Sequence, residues 1–114
     1  MRTVSIDLGA DGTLNVVLCG EIDFSNAAGV TTAVRAAISD GRPRVVRVDV
    51  AGVTFLDSSG IGVLVQAMQA AKVAAAQFRV ERPCDHVFDQ LYITGLVEEF
   101  GLAGPVGNAA PEQG

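Results

Sequence analysis

The sequence predicts a small α/β domain: a mixed β-sheet that opens with an antiparallel hairpin, continues through β-α-β crossovers and carries packed helices. Two observations predict it. Apolar residues alternate with polar ones in four short runs, and the longer segments between the later runs carry apolar residues at helical spacing instead. Turn residues separate the two patterns, which places the element boundaries. A chain of 114 residues with 49% hydrophobic content can fill one modest core, so a single domain is expected.

In order, Val4, Ile6 and Leu8 alternate with Thr3, Ser5 and Asp7, and Leu14, Val16 and Leu18 alternate with Asn15 and Val17. Asp11 and Gly12 lie between them, as in a hairpin turn. Ser25 or Asn26 is read as the cap of a helix over residues 26–39, where Val30, Ala33, Val34, Ala37 and Ile38 form one face, with Gly41 and Pro43 as its stop. "RVVRVDV" is a third strand. Ile61, Leu64, Val65, Met68 and Ala71 mark a second helix over residues 59–74, "QFRVE" a fourth strand ended by Pro83, and Val87, Phe88 and Leu91 a third helix closed by Gly95. "LVEEFGL" is too short to assign. The domain is expected to span residues 1–103, with the Gly, Pro and Ala of residues 104–114 forming a loose tail.

Composition removes several function classes. A net charge of −5 with eight basic residues spread along the chain does not fit a nucleic-acid or anionic-membrane footprint. No apolar run approaches the ~20 residues of a membrane span, and no basic start leads into an apolar leader, so a cytoplasmic protein is expected. Cys19 and Cys84 lack C-x-x-C spacing and are read as free thiols.

"FLDSSGIGVLV", residues 55–65, sets an acid, two hydroxyls and two glycines between a strand-like and a helix-like run. Helix capping by Asp57 or Ser58 explains one of those groups, and strand-to-helix edges of α/β sheets also carry function, so the pattern alone leaves both readings open. Catalysis fits poorly. A hydrolase nucleophile at Ser58 or Ser59 lacks G-x-S-x-G, and His86, the sole histidine, lies on another helix. A dinucleotide loop needs a third glycine where Val65 stands. An aspartyl phosphoacceptor at Asp57 needs an acidic pair after the first strand to hold Mg²⁺, and "LGADGT" offers Asp11 alone. No enzyme activity, metal or cofactor is expected.

"GEIDFSNA" (20–27) and "VTFLDSSGIGVLV" (53–65) resemble the STAS domain of bacterial anti-sigma factor antagonists, and the resemblance covers about residues 3–102 in element order. It implies the STAS fold and a partner switch. The unphosphorylated antagonist binds an anti-sigma factor that is also a serine kinase and so frees a sigma factor. The kinase, which binds the ATP, phosphorylates the first serine of D-S-S-G, here Ser58, and a metal-dependent serine phosphatase resets the protein. The same resemblance, with the position of these residues around two helix starts, makes Glu21, Asp23, Asp57, Ser59, Gly60, Gly62, Val63 and Gln66 partner-contact candidates. Neither direct nucleic-acid binding nor a membrane is implied. STAS domains also serve as accessory parts of membrane transport complexes, the alternative reading. Two features depart from the family pattern: "AKVAAAQF" stands where a glycine is common between the second helix and the fourth strand, and the tail replaces a final helix.

Overall fold

The computed structural model describes residues 3–102; the expected boundary at 103 and the tail lie outside them. β1 (Val4–Leu8) and β2 (Thr13–Ile22) form the hairpin, α1 (Ala27–Gly41) leads to β3 (Val45–Leu56), α2 (Ser58–Val73) leads to β4 (Gln77–Glu81), and α3 (Asp85–Ile93) follows. The sheet runs β1-β2-β3-β4, antiparallel between β1 and β2 and parallel elsewhere. Each crossover joins neighbouring strands, so α1 and α2 lie side by side on one face. Val30, Val34 and Ile38 of α1 and Leu64, Met68 and Ala71 of α2 pack there against Leu14, Val16, Leu18, Val46, Val48 and Val50. The other face is polar: Arg47 bonds Asn15 on β2 and Glu81 on β4 across the sheet.

Both long strands run further than alternation predicts. β3 buries Val46, Val48 and Val50 at every second residue, then Val53 and Leu56 at every third. Its pairing with β2 slips between Val17 and Cys19 and again between Gly20 and Glu21, and each slip gives β3 one extra residue. An extra residue reverses which face the following side chains meet, so the period-2 signal stops at Val50 while the strand continues.

Helix ends also differ from expectation. α1 includes Gly41 and ends on Arg42, which takes the left-handed conformation (φ 47) usually left to glycine. The glycine missing after α2 has a similar consequence, because Ala75 adopts φ 58 there and donates its N–H to the Lys72 carbonyl. A left-handed residue with a Cβ costs about 1–2 kcal/mol, a strain the folded domain carries at both of these exposed positions. The unassigned "LVEEFGL" is part of the core: Val97 and Phe100 are buried, and the Phe100 carbonyl accepts the Val80 N–H at 2.8 Å, covering the free edge of β4.

Candidate functional site

Parallel pairing sets Ile22 beside Leu56, so the turns that follow β2 and β3 leave the sheet at the same edge. Residues 23–26 and 57–60 are thereby neighbours, at the carboxyl ends of strands where open α/β sheets present their sites. The two turns are tied together by Asp57. Its Oδ1 accepts the Gly60 N–H at 2.9 Å, which caps α2, and its Oδ2 accepts the Phe24 N–H at 3.3 Å from the other turn. Its own N–H reaches the Ile22 carbonyl at 3.3 Å.

Ser25 and Asn26 do not cap α1, contrary to expectation. Asn26 holds the N-cap position, but its side chain turns back, accepting the Asp23 N–H at 3.0 Å and donating to the Glu21 carbonyl at 2.9 Å. Ser25 donates its hydroxyl to Asp23 Oδ1 at 2.5 Å and its N–H to the same oxygen at 2.9 Å. These bonds, the hydroxyl's foremost, hold the Asp23 carboxyl below the usual aspartate range. The turn is thus braced from within, and Phe24 at its tip stands 81% exposed.

At the other turn, Ser58 is the first residue of α2 and is exposed, whereas Ser59 is half-buried. Among the described residues neither hydroxyl has a hydrogen-bond partner, and the Ser58 and Ser59 N–H groups have no acceptor. Gly60 is buried, and a Cβ there would collide with the Ile22 carbonyl oxygen, so its missing side chain lets α2 start against the end of β2. Gly60, expected as a partner contact, instead contributes close packing inside the protein. Val63, a partner-contact candidate, is 2% exposed and belongs to the core: the buried face of α2 runs through Gly60, Val63, Leu64, Ala67, Met68 and Ala71, about one residue round the helix from the stripe read from sequence. Gly62 is half-buried with open space where a Cβ would lie, and Gln66 is exposed and accepts a hydrogen bond from Arg35 at 3.3 Å. Ala28, Thr31, Ser58, Gly62, Val65 and Gln66 line a shallow groove between α1 and α2. Glu21 is exposed at the same edge, and Asp23 is half-buried.

Two residues of the site were missed. Phe24 carried a legible signal, an aromatic in a polar turn with no core to fill. Gln90 carried none, because its place depends on how α3 packs: its carboxamide bonds both the N–H and the carbonyl of Leu56, immediately before Asp57. His86, exposed, stacks on Phe55 with ring centroids 6.0 Å apart. Both cysteines are free. Among the described residues no His, Cys, Asp and Glu are grouped to hold a metal ion, and no helix is long and apolar enough to cross a membrane.

A mixed sheet with a leading hairpin and two helices on one face is the architecture of a STAS domain, and the family profile "STAS domain" matches residues 8–109. The chain belongs to the STAS-domain family. No curated protein matches it by sequence. Among solved structures it resembles an anti-sigma factor antagonist from Mycobacterium paratuberculosis, with 24% identity, a TM-score of 0.72, and coverage of 93% of this chain and 88% of that one. The Bacillus cell fate determinant SpoIIAA in its phosphorylated form is similar at 20% identity and TM-score 0.67, over 83% of this chain and 86% of that one. A sulfate transporter family protein from Wolinella succinogenes also matches, at 16% identity and TM-score 0.67, over 87% of this chain and 76% of that one. At these identities the likenesses establish the fold.

Proposed function

We propose that the chain is an anti-sigma factor antagonist that works by partner switching. Unphosphorylated, it binds an anti-sigma factor that is also a serine kinase, and a sigma factor is released. The kinase binds ATP and transfers its γ-phosphoryl group to Ser58, which ends the binding; a metal-dependent serine phosphatase reverses the step. The chain itself is not an enzyme in this reading. One observation carries it: the Ser58 hydroxyl is exposed at the first residue of α2 and, among the described residues, has no hydrogen-bond partner, beside two N–H groups that also lack acceptors there.

A phosphoserine adds about −1.5 to −2 charge and three acceptor oxygens. In the free protein the start of α2 can receive them, because unpaired N–H groups and the helix dipole favour an anion there. Against a partner the same phosphate must be desolvated beside the carboxylate of Asp57, and a buried unpaired charge costs several kcal/mol. The fold therefore tolerates the modification and the interface does not. Ser59, Gly62 and Gln66 share the groove with Ser58, Glu21, Asp23 and Asp57 lie at the same edge of the sheet, and Phe24 adds an exposed aromatic of the kind that dominates interface energetics.

The test is to titrate the unmodified and the phosphorylated protein against the anti-sigma serine kinases of its source and to map the modified residue by fragment mass. Phosphate on Ser58 with loss of binding is expected; phosphate on Ser59, or binding that survives phosphorylation, overturns the reading. The likeness to a transporter-family protein supports a second reading, an accessory unit of a membrane transport complex. Recovery of a transporter component in place of a kinase on affinity capture from cells would favour it.

A further inference from the structure

β3 outruns one of its neighbours. β2 follows it to Leu56, whereas β4 pairs with it only as far as Asp49↔Glu81. Among the described residues no strand lies along the β4 side of residues 53–56, and side chains from α3 and the residue before it take that place. The Cys84 thiol reaches the Val53 carbonyl at 3.6 Å, and the His86 ring lies on Phe55 at 20° from parallel. Gln90 makes the fullest contact: Nε2 donates to the Leu56 carbonyl at 2.5 Å, and Oε1 accepts the Leu56 N–H at 3.4 Å. A carboxamide sets a donor and an acceptor side by side, so here it stands in for the backbone of a missing strand.

We infer that Gln90 is a positioning residue for the Ser58 site, through which α3 fixes the angle at which β3 presents Asp57 and Ser58. The Leu56 side chain is fully buried and anchors the strand in depth, but rotation of the peptide between Leu56 and Asp57 is restrained by that peptide's own bonds. One of these is the Leu56 carbonyl's bond to Gln90; another is the long bond from the Asp57 N–H to the Ile22 carbonyl at 3.3 Å. Gln90 thus holds one half of the peptide that leads into D-S-S-G, and β2 holds the other half. Its surroundings do not call for an amide on packing grounds, since Val87 and Leu91 supply the buried face of α3.

The kinetic part of this inference rests on Ser58 being the phosphorylated residue; the positioning itself can be read without a kinase. The experiment compares the wild-type chain with Gln90→Met, which keeps length and helix propensity and removes both hydrogen bonds, and with Asp89→Ala, which alters an exposed neighbour on the same helix. Amide hydrogen exchange and ¹⁵N–¹H spectra are recorded first, then phosphorylation by an anti-sigma serine kinase with ATP. For Gln90→Met the Leu56 amide should exchange about tenfold faster, with resonance shifts confined to residues 55–60 and unchanged protection at Val48. The rate constant at saturating kinase should fall about tenfold while KM changes little, the signature of a misplaced hydroxyl in an otherwise intact complex. Asp89→Ala should match the wild type in every readout. Phosphorylation of Gln90→Met at the wild-type rate, or an equal loss in Asp89→Ala, overturns the inference. If the wild type takes no phosphate, the proposed function fails and the spectra alone decide: unshifted Asp57 to Gly60 resonances in Gln90→Met overturn the positioning role.

Discussion

The two helices that start at this edge of the sheet begin in opposite ways. Before α1, the side chains of Asp23, Ser25 and Asn26 are all engaged in bracing their own turn, and none caps the helix. Before α2, one carboxylate does both jobs, capping Gly60 and holding Phe24, while two serine hydroxyls beside it have no partner among the described residues. The first start is built to hold a shape. The second leaves its serines unengaged, so that a group added to Ser58 displaces no hydrogen bond among the described residues. Under the proposed phosphorylation of Ser58, accepting a dianion while staying folded needs that division of labour.

The largest expected effect comes from placing charge at the second start. Ser58→Asp should remain folded yet lose kinase binding, whereas Ser58→Ala should bind persistently, as measured by calorimetric titration with nucleotide present. Moving such an equilibrium from almost fully bound to almost fully free takes about 5.5 kcal/mol, so binding by Ser58→Asp within tenfold of wild type would break the contrast between the two starts.

Next come the two glycines of α2, which separate packing from surface. Gly60→Ala drives a Cβ into the Ile22 backbone and should destabilise by about 1–3 kcal/mol, while Gly62→Ala meets open space and should be neutral or stabilising by up to about 1 kcal/mol through helix propensity. Thermal melts of both variants decide it, and equal melting temperatures would remove Gly60 as the contact between α2 and β2.

Asp57→Asn sharpens the double role of that residue. An asparagine oxygen can still cap Gly60, but its amide then turns a donor toward the Phe24 N–H. The expected cost is about 1 kcal/mol by denaturant unfolding, with faster amide exchange at Phe24 and not at Gly60. Equal exchange changes at both would show that one oxygen serves both turns.

The smallest effect tests the first start. The folded-state pKa of Asp23 is depressed by Ser25, so this bond stabilises above the unfolded aspartate pKa of about 3.9 and is lost as pH falls through the lower folded value. Ser25→Ala should therefore melt below wild type at pH 6, with the gap closing toward pH 2. A gap independent of pH would mean that Ser25 acts by packing instead.

Much of this was open to reading from local pattern. Hairpin, crossovers and the D-S-S-G start of α2 follow from alternation, helical spacing and capping chemistry, which are short-range physics written into neighbouring residues. The resemblance carried by "GEIDFSNA" and "VTFLDSSGIGVLV" pointed to the family, and the profile match bears it out. Other features depended on distant partners. The bulges that carry β3 to Leu56 arise from its pairing with β2, so "AGVTFL" could not display its strand by period. Val63 looked like surface because the apolar face of α2 was read one helical row away from the side the sheet covers.

The sequence by itself determined the order of the elements, the acidic and hydroxyl-rich character of two helix starts, and the family. Tertiary structure alone decided which of those polar groups are engaged and which stay free. It joined Asp57 to Phe24 across 33 positions of chain, put Phe100 over the edge of β4, and brought Gln90 to the strand end behind Ser58. The physical reason is common to all three: hydrogen bonds between backbone and a distant side chain, or burial under a distant turn, depend on where the sheet brings two segments together, and no local periodicity records that meeting.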